Sequence, residues 1–112
     1  MLIQVHTDNH VHGSANLKGD VESNLRESLA RYSERLTRIE VFLSDTNAHK
    51  GGVDKKCVLE ARPAGLQPIA VSHVAEHLTE AIDGAVERLL RALEHSLGKQ
   101  TDHKGRPSMS GE

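Results

Sequence analysis

Residues 77–98 read HLTEAIDGAVERLLRALEHSLG, and this stretch decides the fold class. Its apolar residues stand at Leu78, Ile82, Ala85, Val86, Leu89, Leu93 and Leu97, spacings that place them along one stripe of a helix. Gly98 is a typical C-terminal stop, so the pattern predicts a helix from about Glu76 to Leu97. An apolar stripe of that length needs a second layer to cover it. Working back along the chain, short β-rich runs supply one. Ile69 to His73 reads as a strand, entered by a turn from Pro63 to Pro68 that contains Gly65. Lys56 to Arg62 (KCVLEAR) and Arg38 to Ser44 (RIEVFLS) read as two more, separated by an Asp-, Asn- and Gly-rich loop from Asp45 to Asp54. Further upstream, Val21, Leu25, Leu29, Tyr32 and Leu36 recur at steps of three and four and predict a helix from about Leu17 or Asp20 to Leu36. Leu2 to His6 (LIQVH) reads as a first strand, joined to that helix by a polar loop from Thr7 to Asn16.

The order is therefore β-α-β-β-β-α, an α+β two-layer sandwich. A right-handed parallel crossover followed by two hairpins sets the four strands up, up, down, up. Both helices then run down, parallel to each other on one face of a four-stranded sheet, with their C-terminal ends at the same end of the domain. This domain is expected over residues 1–98. Residues 99–112 hold Lys, Gly, Pro and Ser without apolar periodicity and are expected to be a disordered tail.

At 112 residues the chain has room for one core, and 37% hydrophobic residues are enough to build it. Tyr32 and Phe42 are the only aromatic residues besides the histidines, which argues against a binding site made of stacked aromatic platforms. No run approaches the roughly 18 apolar residues of a membrane span, and the start lacks a basic-then-apolar leader pattern, so no membrane association is expected. Cys57 stands alone and makes neither an internal disulfide nor a cysteine-rich zinc site. A reducing cytoplasm fits best. The net charge of −2 tells against a generic nucleic-acid binder; if RNA is the partner, positive charge has to be local.

Local positive charge is present. The second helix opens acidic (Glu76, Glu80, Asp83, Glu87) and closes basic (Arg88, Arg91, Lys99). The first gathers Arg26, Arg31, Arg35 and Arg38 late. At about 100° per residue, Arg31, Arg35 and Arg38 share one flank of the first helix, while Arg88, His95 and Lys99 share one flank of the second. Two basic strips then converge at one end of the molecule. Acid-first and base-last also simply suits the helix dipole, and both readings stand. Lys50, Lys55 and Lys56 lie close together in and after the Asp45–Asp54 loop, as a phosphate-facing finger or as a solvated hairpin tip.

Other chemistries find little support. His73 and His77 are four apart, a spacing that can pair ligands on one helix face, but no His-Glu-x-x-His arrangement exists and the helix predicted from about Glu76 starts after His73. His6, His10 and His12 need a further element to close a site. Asp45 opens a segment resembling a calcium loop, yet Lys50 occupies the glycine position and Lys56 that of the bidentate glutamate. Cys57 alternates with Val58 in a strand and reads as a small buried apolar residue. Glu76 and Glu80 fall on an exposed helix face, and there is no phosphate-cradling glycine motif. No metal, cofactor, small-molecule substrate or catalytic activity is expected.

The segment His77-Leu-Thr-Glu-Ala-Ile-Asp83 resembles the opening of the second helix in the ribosome hibernation-promoting, or ribosome-associated inhibitor, family. That family is also labelled sigma-54 modulation protein or ribosomal subunit interface protein. Leu43 to Asn47, Lys50 to Cys57 and Glu60-Ala61-Arg62 are similar to a proteobacterial branch of it, and the resemblance spans about residues 2–98. It implies non-catalytic binding to the small ribosomal subunit in the channel of mRNA and tRNA, inhibiting translation and protecting idle ribosomes under stress or in stationary phase. Contacts of this kind go largely to rRNA phosphates and position without reading sequence. By position, the resemblance assigns such contacts to Lys18, Arg88 and Arg91. Ser23 and Asn24 stand where lysines are frequent in the family, and Glu94 where a late basic residue is. Together with the residues read from charge pattern, the candidate rRNA-binding set is Lys18, Arg26, Arg31, Arg35, Lys50, Lys55, Lys56, Arg88, Arg91 and Lys99. The dimerisation domain of the family's long form is not expected. The acidic balance and the missing lysines favour an alternative: a protein-interaction regulatory module of the same fold with weak or no RNA binding.

Overall fold

A computed structural model describes residues 1–8, 15–45 and 55–98. The order is β1 (Leu2–Thr7), α1 (Ala15–Ser28), a 3-10 turn (Ala30–Tyr32), β2 (Leu36–Asp45), β3 (Lys55–Pro63), β4 (Ile69–Ala75), α2 (Leu78–Leu93) and a π-type turn (Glu94–Gly98). The sheet order is β1-β2-β3-β4. β1 pairs with β2 in parallel, and the remaining pairs are antiparallel. The up, up, down, up arrangement predicted from connection handedness is the one observed, with both helices running down on one face.

Alternation along the strands builds the core. Ile3 from β1, Ile39, Val41 and Leu43 from β2, and Cys57, Leu59 and Ala61 from β3 face inward and are buried. Val21 and Leu25 meet them from α1, Leu29 from just past its end, and Ala81, Ile82, Ala85, Val86, Leu89 and Leu93 from α2. Burying each large side chain of this set contributes about 1.5–3 kcal/mol. α2 packs chiefly over β4 and β3, and α1 over β1. Cys57 sits fully inside this layer, where burial pushes its thiol pKa up to about 12. It is the small apolar core residue that its alternation implied.

The first helix departs from the prediction. It ends at Ser28, and the chain turns through Ala30–Tyr32 before entering β2 at Leu36. The physical reason is a register irregularity between Leu36 and Arg38, where β2 pairs with β3. A bulge puts two inward residues, Leu36 and Ile39, three apart instead of two. Together with Leu29 and Tyr32 in the turn they imitate a helical period. Arg31, Arg35 and Arg38 accordingly do not share a helix flank: they lie on the 3-10 turn, the following turn and β2. β4 runs two residues past His73, and α2 begins two residues later than Glu76. His73 is therefore on a strand and His77 is the N-cap residue of α2, so the two do not pair on one helix face. Leu97 stays buried although the last turn loosens to π-type geometry.

Candidate nucleic-acid interface

The parallel descent of the helices brings arginines from several elements to one end of the domain. Arg26, in the last turn of α1, donates to the carbonyl oxygen of Met1 at 3.2 Å, so it lies where β1 begins. Arg31 follows on the 3-10 turn, its guanidinium 5.0 Å from the Tyr32 ring centroid, a cation–π contact that holds it at the surface. The carbonyl of Arg35 accepts from the backbone N–H of Ala64 at 2.9 Å, tying that turn to the β3–β4 connection. Arg38 and Arg62 are direct cross-strand partners. Beside the same connection, His95 and Ser96 line a depression with Leu66, Gln67 and Ile69, which places the end of α2, and Arg91 one turn before it, at this end too.

Availability separates these cations. Arg26 pairs with Glu22 at 2.9 Å, Arg38 with Glu40 at 2.6 Å, Arg62 with Glu60 at 3.7 Å and Lys55 with Asp45 at 3.4 Å. Among the described residues no ion pair engages Lys18, Arg31, Arg35, Lys56, Arg88 or Arg91. Unpaired and exposed, Arg31, Arg35 and Arg91 are the cations of this end that can meet a phosphate without first giving up a carboxylate.

The remaining candidates lie elsewhere. Lys18 is in the first half of α1, and Lys55 and Lys56 open β3, at the end opposite the arginines. Arg88 stands midway along α2 and reaches the rim of β4, where it lines a shallow groove with Lys56, Val58, Ala70, Val71 and Ser72. Lys50 and Lys99 lie outside the described residues. The structure thus brings together Arg26, Arg31, Arg35 and Arg91 at one end and Lys56 with Arg88 at the rim, with Lys18 at the end opposite the arginines. Between the starts of the two helices lies a different surface: a groove floored by Leu17, Val21 and Ile82 and lipped by Asp20 and Asp83.

The sheet face turned away from the helices carries contacts that pattern reading missed. His6 of β1 and Phe42 of β2 are register partners. Their rings stack with centroids 4.9 Å apart and planes within 15°. Phe42 is 40% exposed, whereas the inward residues beside it on β2, Val41 and Leu43, are buried. Glu40, below the stack, accepts from Arg38 and lies 3.2 Å from His6 Nε2. Strict alternation in RIEVFLS was the available signal: it sends Arg38, Glu40 and Phe42 to one face together.

The family described as sigma 54 modulation protein / S30EA ribosomal protein matches residues 3–101. Among solved structures, a ribosomal subunit interface protein from Coxiella burnetii superposes with a TM-score of 0.70 at 16% identity, covering 88% of this chain and 99% of that one. The Protein Y N-terminal domain of Thermus thermophilus superposes with a TM-score of 0.64 at 23% identity, covering 85% of this chain and 98% of that one. At these identities the likeness is one of fold. No curated protein matches the chain. With nearly its whole folded length accounted for by one family, the chain belongs to the sigma 54 modulation protein / S30EA ribosomal protein family.

Proposed function

We propose that this chain is a non-catalytic cytoplasmic protein that binds the small ribosomal subunit, occupies the channel of mRNA and tRNA, and so inhibits translation and protects idle ribosomes under stress. The observation that carries this reading is the gathering of Arg31, Arg35 and Arg91 at one end of a net-acidic domain, exposed and unpaired among the described residues. Such an end meets rRNA phosphates while the acidic remainder is repelled, which orients the domain on approach. Family membership and the names of the two structural neighbours, one of them a ribosomal subunit interface protein, support it.

Sedimentation of the purified chain with small subunits tests the reading. The expected result is co-migration at low salt that high salt abolishes, and its loss in an Arg31→Glu/Arg35→Glu variant that remains folded. Absence of the wild type from the subunit peak at low salt sinks it.

The groove lipped by Asp20 and Asp83 favours a second reading, in which the fold regulates a basic protein partner. In that case Asp83→Lys disrupts the partner complex, and the chain stays out of ribosomal fractions.

A further inference from the structure

The open face of the sheet has its own organisation. One transverse row of side chains runs His6, Phe42, Val58, Ser72 across all four strands. The row spans roughly 14 Å at ordinary strand spacing. At its β1 end the stacked His6–Phe42 pair stands exposed. At its β4 end Lys56 and Arg88 line the rim groove that also contains Val58 and Ser72. The face is apolar and aromatic at one side and cationic at the other. Its two glutamates do not oppose an anion, because Arg38 holds Glu40 and Arg62 holds Glu60.

We propose that this face is a second RNA contact, on which an unpaired base stacks against the His6–Phe42 pair while Lys56 and Arg88 take the phosphates that follow it. The inference rests on the ribosome-binding reading for the source of the RNA, and adds to it a surface on the side opposite the helices. β1 is an edge strand, so the ring face of His6 turned away from Phe42 looks past the rim of the sheet, where a base extends the stack. Every base has a π-face, so the contact tolerates any sequence but requires a single strand. Spacing agrees: the distance across the row is that of about two nucleotides of extended strand. A duplex cannot use the aromatic end, since its bases are already stacked on one another.

Fluorescence anisotropy of a labelled eight-nucleotide oligoadenylate RNA, titrated with the full chain, tests the contact. Phe42→Ala is expected to bind about tenfold more weakly. Phe42→Trp restores binding, because it keeps a ring at the same register. The ratio between wild type and F42A holds as salt rises, since stacking releases no counterions, whereas Lys56→Glu/Arg88→Glu flattens the salt dependence. Wild-type affinity in F42A, equal weakness of F42A and F42W, or no binding by the wild type overturns the proposal. Sedimentation with small subunits separates the two readings. If the wild type co-sediments and F42A binds the oligonucleotide unchanged, only the stacking face falls. If the wild type does not co-sediment, the ribosome reading falls and the oligonucleotide still decides the face. A photoreactive benzoylphenylalanine in place of Phe42, irradiated in the subunit complex, labels rRNA if the face meets RNA. Labelling confined to a ribosomal protein overturns the proposal in favour of a protein contact.

Discussion

The imidazole of His73, on the inner side of β4, presses against the backbone of Gly84 on α2 so closely that a Cβ at position 84 would overlap the ring. α2 packs over β4 and β3, and at Gly84 the helix backbone lies directly against a side chain of the edge strand. The ring atoms involved include Cγ, next to the His73 backbone, so the imidazole cannot swing its far end away to make room. Gly84→Ala is expected to destabilise the domain by about 1–3 kcal/mol, read as a lower urea midpoint at unchanged m-value. His73→Ala in the same chain should recover a large part of that loss, giving a non-zero coupling in the double-mutant cycle. A G84A midpoint equal to wild type would show that the helix can shift freely.

Gly19 is the internal control. It lies within α1, and a Cβ there meets nothing within 4 Å. With no clash to oppose the gain in helix propensity, Gly19→Ala should stabilise by up to about 1 kcal/mol. The two glycine-to-alanine changes thus carry opposite signs, and thermal melts of both variants check the pair.

The arginine end makes a graded prediction for binding. Arg31→Ala and Arg35→Ala should each lower the slope of log K against log salt by about 1 for small-subunit binding. Arg26 is already engaged by Glu22 and by the Met1 carbonyl. Arg26→Ala should leave the slope nearly unchanged and cost less than about 1 kcal/mol of stability, as exposed pairs do. Equal slope changes for all three variants would mean that ion pairing within the domain does not decide which arginine meets phosphate.

Cys57 predicts a limb of the pH–stability curve. Burial raises its folded pKa from 9.0 to about 12, so the native state holds the thiol proton more tightly than the unfolded chain does. The stability linked to it is complete below pH 9 and is lost as pH rises towards 12. Urea midpoints of wild type and Cys57→Ala, measured from pH 8 upward, should converge as that limb is crossed; parallel curves would count against it. In native buffer at pH 8 a thiol reagent should label Cys57 no faster than the domain unfolds, because the thiolate is the reactive form.

Much of the architecture was legible in local pattern. The stripe from Leu78 to Leu97 demands an apolar sheet beneath it, and alternation in residues 38–44 and 56–62 supplies that sheet, so element order and class follow from spacing alone. Handedness of the crossover then orients both helices. The end of α1 was not legible, because a bulge in β2 continues an i, i+3, i+4 rhythm through Leu36 and Ile39 that no local rule distinguishes from a helix. The arginines were identified by residue type; Arg26, Arg31, Arg35 and Arg91 gather at one end through helix ends and turns instead of a shared helix flank, and Arg88 stands apart from them. Two decisions belonged to the tertiary structure alone. Lys55 is engaged by Asp45 through the pairing of β2 with β3, whereas Arg26, Arg38 and Arg62 find Glu22, Glu40 and Glu60 only two to four residues away on their own helix or strand. The stack of His6 on Phe42 joins residues 36 positions apart, and only the parallel register of β1 on β2 makes a platform out of a sequence nearly devoid of aromatic residues.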